Sequence, residues 1–156
     1  MNNIPLRHCG TTDMAFSKTV SGEPQRLEDG RLLVSYDMTV SNTGQTQIDD
    51  LQITDNLGDV YGAGNVVVDS NLITAEPASF TGEENASYDG VVNDNLLDGQ
   101  GVLVAGETVS VNVQAIVAPQ EASTYINRAT VSGANPLSGV SSVSYTHLTL
   151  PTTPYV

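Results

Sequence analysis

The chain has no tryptophan, two phenylalanines, one cysteine, one lysine and two histidines in 156 residues. Each shortage closes something off. A single thiol, Cys9, cannot make an internal disulfide, and its Arg7-His8-Cys9 setting has no second thiol at a metal-ligand spacing. Five basic residues stand against 18 acidic ones, a formal net charge of −13. Without a basic footprint to neutralise phosphates, nucleic acid is excluded as a partner, and anionic membrane surfaces are disfavoured for the same reason. No apolar run is long enough to cross a bilayer. The start, MNNIPLRHCG, lacks the basic head and apolar stretch of an export signal. His8 and His147 lie towards the two ends, so the body of the chain holds neither His nor Cys, and it contains no G-x-S-x-G and no phosphate loop. Catalysis by a nucleophile and base is therefore not expected. Paired carboxylates could be chosen in so many ways that no choice carries information.

What is present points to sheets. Glycine and proline punctuate a chain rich in Val and Thr, and no dozen residues carry apolar positions at helical spacing. In Arg31–Leu57, Leu32, Val34, Tyr36, Met38 and Val40 share one parity and Leu33, Ser35, Asp37 and Thr39 the other, the period of a half-buried strand. Asn42-Thr43-Gly44 has turn chemistry, and the chain returns through Leu51 and Ile53 to Thr54-Asp55-Asn56, which reads as a hairpin. Ala15–Val20 is a first strand ended by Gly22-Glu23-Pro24. Val66-Val67-Val68 suits a short covered strand, and Ile73–Tyr88 reads as loop. Val109, Val111, Val113, Ala115 and Val117 give the longest alternation, opened by Ala105-Gly106-Glu107 and closed by Pro119. Tyr125–Ser132 is the last strand. About seven short strands at these intervals describe an all-β, immunoglobulin-like antiparallel sandwich.

Residues 1–13 read as tail or linker, 14–134 as the sandwich and 135–142 as linker. Val143–Thr152, VSYTHLTLPT, resembles one reading frame of a transposon-type sequencing-library adapter. Residues 143–156 are therefore expected not to be native, and the chain to be a fragment of a longer protein.

Several short signatures occur in order. They are Ser17-Lys18-Thr19-Val20, Val40-Ser41-Asn42-Thr43-Gly44, Ile53-Thr54-Asp55-Asn56-Leu57, Ala105-Gly106-Glu107 and Asn127-Arg128-Ala129-Thr130-Val131. Together they resemble the conserved repeat domain of bacterial and archaeal surface proteins known as domain of unknown function eleven, over about residues 14 to 134. Gly58 and Ala105 stand where that family carries proline. The resemblance implies an immunoglobulin-like module, repeated in tandem in large exported proteins as spacer, stalk or adhesin segment, with neighbouring repeats as its partners and no catalytic activity.

One group of residues carries candidate chemistry. Lys18 lies between Phe16 and Val20 on the apolar parity, and Asn127 lies between Tyr125 and Ala129. In sandwiches of surface proteins a buried lysine can attack an asparagine amide, leaving an isopeptide crosslink. Burial lowers the lysine's pKa, and a carboxylic acid must polarise the amide. Asp55 and Glu107 both continue inward parities and are candidates for that acid. The bland alternative has Lys18 snorkelling at a sheet margin and Asn127 bonding a nearby backbone. A second candidate is Ca²⁺ at loop ends, through Asp55, Asp59, Asp94 and Asp98, although no EF-hand spacing exists. The reading is thus a non-catalytic spacer or stalk module of an exported surface protein, or alternatively a Ca²⁺-dependent adhesive module. No cofactor is expected beyond that possible Ca²⁺.

Overall fold

In the strand Leu32–Asn42 every second residue is buried, from Leu32 through Val34, Tyr36, Met38 and Val40 to Asn42. The same alternation places Val109, Val111, Val113, Ala115 and Val117 inside along Thr108–Val117, and Leu51, Ile53 and Asp55 inside along Ile48–Asp55, where Ile48 is also buried, across an irregularity in the register. The rows meet face to face because an apolar sheet face must be covered by another. These relations come from a computed structural model that describes residues 13–118, 124–134 and 141–151, with backbone alone for 124–128 and 141–151.

The strands, in chain order, are β1 (Met14–Val20), β2 (Gln25–Arg26), β3 (Leu32–Asn42), β4 (Ile48–Asp55), β5 (Val66–Ala75), β6 (Gly101–Leu103), β7 (Thr108–Val117), β8 (Thr124–Ala134) and β9 (Ser141–Pro151). A one-turn helix, α1 (Gly58–Tyr61), and a short 3₁₀ turn at Ala63–Asn65 follow β4. One sheet has the order β1-β3-β7-β5, with β2 also paired to β3, and the other β6-β4-β8-β9. All pairings among the described strands are antiparallel. Two such sheets around one apolar layer make an immunoglobulin-like sandwich.

Three readings of the sequence change. Arg31–Leu57 is not a hairpin: β3 and β4 belong to opposite sheets, and the polar turn carries the chain across the core. Asn42 makes the crossing. Its buried side chain donates to the Thr46 and Leu103 carbonyls at 2.8 and 2.9 Å and accepts from Gly44 N at 3.0 Å, so it is bonded to the turn and to β6. Alternation in β3 and β4 is the same for a hairpin and for a crossing, which is why the pattern did not separate them. Val66-Val67-Val68 begins a ten-residue strand whose sheet partner is β7, and as an edge strand it leaves Val67 53% and Leu72 54% exposed. That strand continues through Ile73 to Ala75, so the loop starts later than the composition suggests.

Residues 76–100 form a strap that runs along the stretch of β4 beyond the reach of β6. Leu96 N donates to Ile53 O and Asp55 N donates to Asp94 O, both at 2.8 Å. Gln52 closes a pair of bonds with the backbone of Leu97 at 2.9 Å each. The strap buries Phe80, Tyr88, Leu96 and Leu97. Ser141–Pro151, covering most of the adapter-like stretch, is paired along the outer edge of β8, from Ala134↔Ser141 to Thr124↔Pro151.

Candidate functional site

Lys18 sits in the middle of β1, opposite Met38 of β3. An inward position in a short first strand gives its alkyl stem apolar neighbours, and the side chain is fully removed from solvent. Its Nζ lies 2.5 Å from Asp55 Oδ2 and 4.4 Å from the centroid of the Tyr36 ring. Asp55 is the last residue of β4, on the other sheet, and is also fully buried. The contact is therefore a polar bridge across the core between the two sheets. Burial pulls the Lys18 pKa below its ordinary value, while the Asp55 charge and their hydrogen bond push back.

Aromatic side chains close the space around the pair. Tyr36 and Tyr61 share a hydroxyl–hydroxyl hydrogen bond of 2.8 Å, which fixes the ring beneath Lys18. Tyr88 donates its hydroxyl to the Asp55 carbonyl oxygen at 2.9 Å. Burial, with the Asp55, Asp94 and Asp89 charges adding to it, pushes the Tyr88 pKa far up, so the phenol stays a donor.

The two candidate acids lie apart in the fold. Asp55 is at Lys18; Glu107 stands beyond the start of β7, its carbonyl bonded to Asn42 N at 2.9 Å, by the crossing at the other end of β4. Asn127 lies on β8, next but one to Ala129, which is the register partner of Asp55. Its side chain is outside the described residues. Lys18 of β1 and Asp55 of β4 are thus in contact, and the backbone of Asn127 lies two residues along β8 from the register partner of Asp55.

The remaining acidic candidates are dispersed. Asp59 lies in the first turn of α1, Asp94 Oδ2 accepts from Asn56 Nδ2 at 3.3 Å, and Asp98 Oδ1 accepts from Gln100 N at 3.0 Å. Among the described residues no three His, Cys, Asp or Glu are grouped to hold a metal ion. No helix among them is long and apolar enough to cross a membrane. Cys9, His8 and His147 fall outside the residues whose side chains are described. Sequence reasoning missed the Tyr36 and Tyr88 contributions. Tyr36 was visible only as a member of the core parity, and Tyr88 sits in the strap, where no periodicity marks it.

These features define an immunoglobulin-like domain with a buried Lys–Asp pair bridging its sheets. No family model matches the chain, and no curated protein matches it. Among solved structures it is similar to the full-length major pilin SpaD of Corynebacterium diphtheriae, at 12% identity and a TM-score of 0.59. That match covers 88% of this chain and 34% of the pilin. It is also similar to BcpA, the major pilin subunit of Bacillus cereus, at 12% identity and a TM-score of 0.57, covering 90% of this chain and 41% of BcpA. Domains D2 and D3 of SpaD match at 13% identity and a TM-score of 0.54, over 86% of this chain and 51% of theirs. At these identities the likeness is one of fold, and the chain spans less than half of either full subunit.

Proposed function

We propose that the chain is a structural module of an exported surface appendage, a spacer or stalk segment stiffened by its own Lys18–Asn127 isopeptide bond. The single observation that carries the reading is the Lys18–Asp55 contact, solvent-free and spanning the two sheets. A charged pair taken wholly out of water is weak evidence for stability, since hydrophobic side chains of similar volume often do as well or better. Its retention is accounted for if the pair performs a reaction. The kinship to the repeat domain of surface proteins, the extracellular location and the neighbouring repeats as partners belong to the same proposal, supported by the pilin-like fold.

The reaction balances without an oxidant or cofactor. A proton passes from the Lys18 ammonium to the Asp55 carboxylate, which dry surroundings favour because two charges become none. The Nζ lone pair attacks Cγ of Asn127, and the Asp55 carboxylic acid hydrogen-bonds the amide oxygen as it becomes an oxyanion. The proton on the attacking nitrogen returns through Asp55 to the Asn127 amide nitrogen; the old C–N bond breaks and ammonia leaves. Asp55 ends as the neutral acid, holding the proton it took from Lys18. The module turns over no substrate, since the amide it makes is its own.

Intact-mass measurement tests this directly. The wild-type chain is expected to weigh one ammonia less than its sequence, and tandem mass spectrometry to join the peptides that contain Lys18 and Asn127. Lys18→Ala, Asn127→Ala and Asp55→Ala should each restore the sequence mass. A wild-type mass equal to the sequence overturns the crosslink, and a loss of one water with Lys18 joined to Asp55 overturns the assignment of Asn127. The Ca²⁺-dependent adhesive reading is tested by melting in Ca²⁺ and in chelator; equal temperatures in both set it aside.

A further inference from the structure

We propose that Tyr88, carried on the 76–100 strap, is the positioning residue for the acid of this reaction; the inference rests on the crosslink reading above. Asp55 ends β4, just where the paired strand runs out. The β6 pairing with β4 reaches only from Ile48 to Leu51, so among the described residues no sheet strand pairs with Asp55 on that side. The strap supplies both missing backbone partners. Asp94 O accepts from Asp55 N at 2.8 Å, and the Tyr88 hydroxyl donates to Asp55 O at 2.9 Å. With both peptide groups of Asp55 held, the backbone that carries its side chain is fixed where that side chain meets Lys18.

The strap is itself built to hold that position. Asp89 Oδ1 accepts from the backbone N–H groups of Val91, Val92 and Asn93, each at 2.9 Å, which folds the segment next to Tyr88 into a closed turn. Asn56, adjacent to Asp55, donates its amide to Val91 O at 2.9 Å, and Gly58 N donates to Gly90 O at 3.0 Å. The turn is thus bonded to the residues that follow the acid as well as to the acid. A buried phenol needs an acceptor for its proton, but any carbonyl would serve; here it meets the one belonging to the acid. A reaction that depends on reacting atoms a few tenths of an ångström apart in placement responds to such a contact far more than folding does.

The experiment is a time course of ammonia loss by intact mass, following a short pulse of cell-free synthesis of the full chain. Tyr88→Phe, which removes one oxygen and keeps the ring, should slow crosslinking by roughly tenfold, and Asp89→Ala, which unties the turn without touching Asp55, should slow it also. In the Lys18→Ala background, which cannot react, the melting temperature with and without Tyr88→Phe measures the purely structural share of the hydroxyl. Slowed crosslinking with only a small melting shift in that background supports the positioning role. Wild-type crosslinking with unchanged rates in both variants overturns it and leaves the crosslink standing. A wild-type chain that loses no ammonia overturns the crosslink and this inference together.

Discussion

Asp89 shows how one carboxylate can hold a turn, adding three bonds to the two that the Asn93 carbonyl accepts from Asp89 N and Gly90 N. Its pKa lies below the ordinary aspartate value of 3.8, the backbone N–H groups of Val91 and Asn93 being the chief cause. A carboxyl whose folded pKa is depressed contributes stability that is fully present above its unfolded pKa and lost as pH falls through the folded one. The turn should therefore keep this contribution at neutral pH and lose it only as pH falls below the ordinary value of 3.8. Melting curves of wild type and Asp89→Ala should differ at neutral pH and converge in acid, as the wild-type carboxylate is protonated. A gap that persists at the acid end would assign the turn's stability to something other than that charge. Asp55 poses a sharper demand at the same scale. Removing its carboxylate in a chain that also lacks Asn127 leaves Lys18 buried with no opposite charge, a loss of about 3–5 kcal/mol that urea unfolding should register.

At the scale of elements, the strap's docking turns on small residues. A Cβ added to Gly101 would come within 2.6 Å of the Phe80 ring and 3.0 Å of the Gly82 backbone. Phe80 is buried against this close approach of β6 and the strap. Gly101→Ala should push the ring out and cost about 1–3 kcal/mol, seen as a lower urea midpoint with an unchanged slope. Much of this scale was legible in the sequence. Alternation located β1, β3 and β7 and the Leu51–Asp55 part of β4, and named their buried rows, because each has one face in the core. The partnership of β3 and β4 was not legible, since a parity pattern says which residues face inward and nothing about which sheet they join. The part of the strap up to Tyr88 was read as loop because the strap is held by isolated bridges and by single side chains, Gln52, Asn56 and Tyr88 among them, that leave no period behind. The candidate site divides the same way. Lys18 and Asp55 were marked by polar residues on apolar parities, whereas the tyrosines around them looked like ordinary core.

For the whole molecule, net charge and the proposed bond act in opposite senses. A formal charge of −13 on 156 residues repels itself, and added salt should screen it, raising the melting temperature of every variant. Closing a loop on the order of a hundred residues long stabilises the folded chain by about 4–5 kcal/mol in the chain-entropy account. The wild-type chain should accordingly melt well above Asn127→Ala at any ionic strength, with the difference insensitive to salt. Equal melting temperatures would mean that the bond does not constrain the unfolded chain.

The place of Lys18 on the first strand has a mechanical consequence. Tension applied to the two ends of a module enters at β1 and leaves beyond β8. With Lys18 joined to Asn127, that tension passes along a side-chain amide from one strand to the other and never reaches the residues between them. The crossing at Asn42, the strap and the greater part of both sheets would then lie on a slack branch of the circuit. A stalk assembled from such units would extend under load only by the few residues outside each ring, and would return to its resting length without refolding.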